Sequence, residues 1–153
     1  MIRIQRMKAV AAAAALATLL VVVSSVPAIA ASSGNVGGNP RGCVGYVENA
    51  HKSGGMASVH GGIRNCTSAP TERFVSVTLQ KRGWFQWHNT KTYTGYLAQS
   101  DGVKKLDVDS KAVCGNTSLQ TWRGETSARV TVGSTHYYGS YVSASETRFA
   151  CDA

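Results

Sequence analysis

The chain has no concentrated charge. No run of like charge exceeds two residues, the longest being Lys81-Arg82 and Lys104-Lys105. Proteins that bind nucleic acid gather their cations on one element, so that partner is not expected. Ligand spacings for a metal are also lacking: there is no C-x-x-C and no H-x-x-x-H, and the histidines at 51, 60, 88 and 136 are far apart. No G-x-S-x-G, H-E-x-x-H or cysteine–histidine nucleophile pair occurs. Asp107 and Asp109 share a strand face and would suit acid–base chemistry. Alternating aspartates with lysines nearby read instead as a solvated face. The expectation is a protein that is not an enzyme and has no cofactor and no metal. Helical periodicity fails beyond about two turns outside the first 26 residues, and no fixed-period repeat is found.

A targeting segment opens the chain. Arg3, Arg6 and Lys8 precede an apolar run from Ala9 to Val26, and Ala28-Ile29-Ala30 supplies small residues for cleavage. This predicts a signal peptide over residues 1–30, secretion, and no membrane span after cleavage. The leader holds three of the 16 basic residues and none of the eight acidic ones, so the remaining 123 residues carry +5. That charge gives a mild attraction to anionic surfaces. The Gly/Ser-rich stretch 31–41 reads as a flexible leader, and 42–153 as a single all-β domain.

All four cysteines follow the signal, as suits an oxidising compartment. Of three possible connectivities, Cys43–Cys66 with Cys114–Cys151 is favoured, because each pair then staples a local hairpin or loop. In the second of these loops, Gly133-Ser134 lies between alternating runs and marks a two-residue hairpin turn. The register places Val130 opposite Tyr137 and Arg129 opposite Tyr138. Tyr137, Tyr141 and Trp122 are then core residues, and Tyr138 points out. In the first loop, Gly61-Gly62 suggests a bulge or a close backbone approach. A further hairpin starts from Val75, Val77 and Leu79. Reading Lys81-Arg82-Gly83 as a three-residue turn pairs Gln80 with Trp84. It sends Phe85 and Trp87 to the core, and Trp84, Gln86 and His88 to the outer face with Phe74. Seven or eight short strands with regular turns and almost no helix predict a small antiparallel β-sandwich or barrel.

Two surfaces are candidates for binding. Phe74, Trp84 and His88 present aromatic planes on a sheet face, suited to stacking on sugars or anchoring a protein. Arg123, Arg129 and Tyr138 on the last hairpin would grip a carboxylate, phosphate or acidic sugar. The alanine-rich signal, the spaced C…NC…C…C pattern and the final Y-x-S…R-F-x-C resemble the small secreted two-disulfide all-β proteins of actinobacteria. The resemblance implies an extracellular location and an all-β fold, but no activity. The expected function is a secreted non-catalytic binding protein acting on an anionic cell-envelope polymer or a protein partner. The alternative is a diffusible effector, either a hydrolase inhibitor presenting loop 51–62 or a bacteriocin-like toxin.

Overall fold

A computed structural model describes residues 31–102 and 104–151; the expected signal peptide lies outside them. The described residues form ten strands: β1 (Ala31–Asn35), β2 (Val44–Glu48), β3 (His51–Ser53), β4 (Met56–Arg64), β5 (Glu72–Arg82), β6 (Trp87–Ala98), β7 (Leu106–Ala112), β8 (Gln120–Val132), β9 (Thr135–Val142) and β10 (Thr147–Phe149). One 3-10 turn, Gln99–Asp101, is the sole helical element among them. All pairings are antiparallel.

The first sheet is centred on β4. Strand β7 runs along one edge of it, while β2 and β3 share the other edge end to end, and β1 extends the sheet beyond β2. The second sheet is centred on β5 and β8. Strand β6 lies outside β5, and β9 and β10 divide the far edge of β8. Alternation sends one side of each strand inward. Val47, Ala57, Val59, Ile63 and Leu106 from the first sheet meet Val75, Val77, Leu79, Trp122, Val130 and Tyr141 from the second. Trp122 stacks on Phe149, ring centroids 6.0 Å apart. The sheets also touch at both margins, where Ser110 Oγ donates to the Lys91 carbonyl (2.9 Å) and Tyr141 Oη donates to the Gly34 carbonyl (3.0 Å). Those are side-chain links, so the architecture is a two-sheet sandwich and not a closed barrel.

Gly61 keeps register with both neighbouring strands, so it marks a close approach and no bulge. A Cβ there would collide with Thr126 Oγ1 from the opposite sheet, and one on Gly124 would strike Val59 and Val47. Disulfides join Cys43 to Cys66 and Cys114 to Cys151. The larger spans 37 residues, worth about 3–4 kcal/mol on a chain-entropy basis.

Three expectations are corrected. Residues 31–35 are strand β1, paired with β2 from Ala31↔Glu48 to Asn35↔Val44, and the following turn is tied by Asn39, whose side chain donates to the Val36 and Cys43 carbonyls. The stretch is therefore no flexible leader: strand pairing and the Asn39 side chain hold it. Residues 51–62 are not a presented loop: they form the β3–β4 hairpin, turning at Gly54-Gly55, with Ala57, Ser58 and Val59 buried. The third concerns the β5–β6 hairpin. Arg82 pairs with Trp87, so the turn has four residues, and a register shift beside Leu79/Gln80 sets Gln80 opposite Asn89 but Leu79 opposite Lys91. The four-residue turn reverses the expected parity for residues 87–89, and the bulge restores it from Lys91 onward. Trp87 faces outward, His88 takes the other side, and Phe85 is 99% exposed instead of core.

Candidate binding surface

The outer face of the second sheet gathers the aromatic and cationic side chains. Four strands in register set Tyr138 (β9), Arg129 (β8), Phe74 (β5) and Tyr96 (β6) side by side. At ordinary strand spacing this row is roughly 15 Å wide. Tyr138 is 63% and Tyr96 54% exposed. The Arg129 guanidinium lies 5.5 Å from the Phe74 ring centre, within cation–π range. A shallow depression of about 480 Å³ is lined by Phe74, Ser127, Arg129, Tyr138, Gly139 and Ser140.

Glu72, one step beyond Phe74 on β5, fixes this row. Its carboxylate accepts from Tyr96 Oη (3.1 Å) and Thr131 Oγ1 (3.3 Å), and lies 3.6 Å from Arg129 Nη2. Thr131 is in turn hydrogen-bonded to His136 Nδ1 at 2.9 Å, and the His136 ring meets Tyr138 edge-on. The hydrogen bond to Glu72, then burial and the carboxylate's charge, raise the Tyr96 phenol above its ordinary range. The row is thus a pre-positioned set of rings and donors, with both edge tyrosines accessible.

From the row, the same face continues as a lane of small hydroxylated side chains. Ser140, Ser127, Ser76 and Thr94 lie in register, followed by Glu125, Thr78 and Thr92. The hydroxyls of Thr78 and Thr92 bond each other at 2.9 Å. At the far end Trp87 lies beneath two arginines, Arg123 at 4.3 Å and Arg82 at 5.7 Å from its ring centre. Gln80 locks this end: it accepts from Arg123 Nε (2.7 Å) and donates to Asn89 and Glu125. Chemically, the face offers rings for stacking, guanidinium groups for anionic groups and hydroxyls for polar contacts.

The structure therefore brings Phe74, Arg129 and Tyr138 together and sets Arg123 at the other end of the same face. It separates Trp84 and His88 from them. Trp84 occupies the apex of the β5–β6 turn and is 95% exposed. His88 lies under that turn, where a Cβ on Gly83 would meet its ring. Tyr96, Glu72 and Trp87 complete the face, although no sequence motif singles them out. Placing Tyr96 and Trp87 required the β6 register, and β6 is too polar to reveal it.

The outer face of the first sheet is differently occupied. Tyr46 Oη donates to Asp107 at 2.6 Å, Lys105 pairs with Asp107, and His60 pairs with Asp109. Arg64 covers the Tyr46 ring at 4.4 Å, and His51 stacks on His60. Among the described residues, no three His, Cys, Asp or Glu side chains are grouped to hold a metal ion. No helix of the described residues is long and apolar enough to cross a membrane. Compared with family models, curated proteins and solved structures, the chain matches none.

Proposed function

We propose that this is a secreted, non-catalytic binding protein that holds a cell-envelope polymer bearing anionic groups against the outer face of its second sheet. The observation that carries the reading is the in-register row Tyr138–Arg129–Phe74–Tyr96. Exposed rings with a guanidinium between them suit a sugar carrying a carboxylate or phosphate: the rings stack and the arginine pairs with the charge. The hydroxyl lane beside the row lets an extended chain continue along the face. The amino-terminal signal pattern and the two disulfides support an extracellular setting.

Co-sedimentation of residues 31–153 with purified envelopes, at low and high salt, tests this. Binding that weakens with salt and is lost in Arg129→Ala supports an electrostatic grip. Binding that survives salt but is lost in Phe74→Ala supports stacking on the same row. Absence of binding in both buffers overturns the proposal and leaves the diffusible effector.

A further inference from the structure

We propose that the Trp84-Phe85 turn is a membrane-docking tip, built to enter the interfacial layer of a bilayer that contains anionic lipid. This surface lies at the end of the sandwich, apart from the sheet face discussed above, and the inference does not depend on that face binding polymer.

The turn is fixed by its own backbone. Gly83 N–H donates to the Gln86 carbonyl at 2.9 Å, and Arg82 pairs with Trp87 just beneath. Trp84 and Phe85 are the two central residues, where glycine, asparagine, proline or serine ordinarily stand. Their side chains are 95% and 99% exposed. Neither contributes to the core, so the fold gives no reason for placing two large rings in water. Directly behind them, Lys81, Arg82, Leu119 and Arg148 line one depression, and Leu119 is itself 61% exposed. Val113, in the same β7–β8 connection as Leu119, is 75% exposed. Glu146 engages Arg82 at 3.0 Å, and Lys81 and Arg148 remain as surplus positive charge behind the apolar tip.

This order, apolar apex first and cations behind, matches the order of layers in a membrane. Rings of the tryptophan type settle at the headgroup boundary, and basic side chains a few ångströms back meet lipid phosphates. Stable surface attachment takes both contributions together. Behind this tip the depression sets the cations Lys81, Arg82 and Arg148 and the aliphatic Leu119 beside Gln120 and Thr121.

The test uses residues 31–153, which contain both sheets and both disulfides, and vesicles of phosphatidylcholine with or without phosphatidylglycerol. Flotation should recover the protein with the anionic vesicles and only weakly with the neutral ones. Tryptophan emission should shift to the blue and be quenched by brominated acyl chains, a signal that Trp84→Phe removes. Each ring replaced by serine should weaken binding on the order of tenfold, given the apolar area withdrawn. Both positions are outside the packed structure, so an unchanged melting temperature in Trp84→Ser/Phe85→Ser confirms an intact fold. Failure of the parent to float with anionic vesicles overturns the proposal. So does equal flotation of the double variant. Loss of envelope binding in the double variant without any vesicle binding would also overturn it, and would assign the tip to a protein or glycan.

Discussion

The two outward faces of this sandwich use similar residues to opposite ends. On the first sheet, Tyr46 is 5% exposed, covered by Arg64 and bonded to Asp107. On the second, Tyr138 is 63% exposed, in the same row as Arg129 and meeting a neighbouring ring only at its edge. Both present tyrosine, arginine and carboxylate. The difference is where Cβ is missing. Gly62 stands between Tyr46 and Asp107, and the Tyr46 ring fills that gap. Across from Tyr138 stands the Arg129 side chain, and the Tyr138 ring stays 63% exposed beside a shallow depression.

That contrast can be broken deliberately. Tyr46→Ala should cost about 3–5 kcal/mol, as for other buried aromatics, measured by denaturant unfolding. Tyr138→Ala should change stability by no more than about 0.5 kcal/mol. It should nevertheless weaken envelope binding on the order of tenfold, as the loss of an accessible stacking ring.

Alkaline titration sharpens the same comparison. Burial first, then the hydrogen bond to Asp107, raise the Tyr46 phenol well above the ordinary value of 10.0. The folded protein thus keeps a proton that the unfolded chain releases. Stability should be unaffected by this group below about pH 10 and fall as pH rises beyond it. Tyr46→Phe should remove part of that slope. Unfolding curves at several alkaline pH values would show this. A small effect is also expected at His60. Its pairing with Asp109 is partly exposed, and His60→Ala should shift stability by less than about 1 kcal/mol.

Much of the sandwich was legible because alternating apolar residues bound the register on both sides of a clear turn. Gly133-Ser134 is such a case: the pairs Val130↔Tyr137 and Arg129↔Tyr138 are as expected, with Tyr141 buried and Tyr138 outside. The β5–β6 hairpin failed for the opposite reason. Strand β6 reads WHNTKTYTGYLA, with hardly any apolar alternation to penalise a slip, so a four-residue turn and a bulge were invisible. The candidate site inherited that error: Phe74 was put on one surface with Trp84 and His88 and apart from Arg129 and Tyr138, whereas the sheet sets Phe74 in one row with Arg129 and Tyr138, and the four-residue turn takes Trp84 and His88 away. Strand β1 left no trace in ASSGN, since an edge strand of small polar residues pairs through its main chain and shows no apolar alternation.

The disulfides span 23 and 37 residues and do not interleave. For a chain emerging from a translocation pore amino terminus first, this order matters. On the secreted reading proposed above, Cys43 and Cys66 would enter the oxidising side before Cys114 does, so pairing each thiol with the next one available would already yield the native bonds. The β2–β4 pairing that Cys43–Cys66 brackets could then be sealed, without reshuffling, while the strands of the second sheet are still arriving.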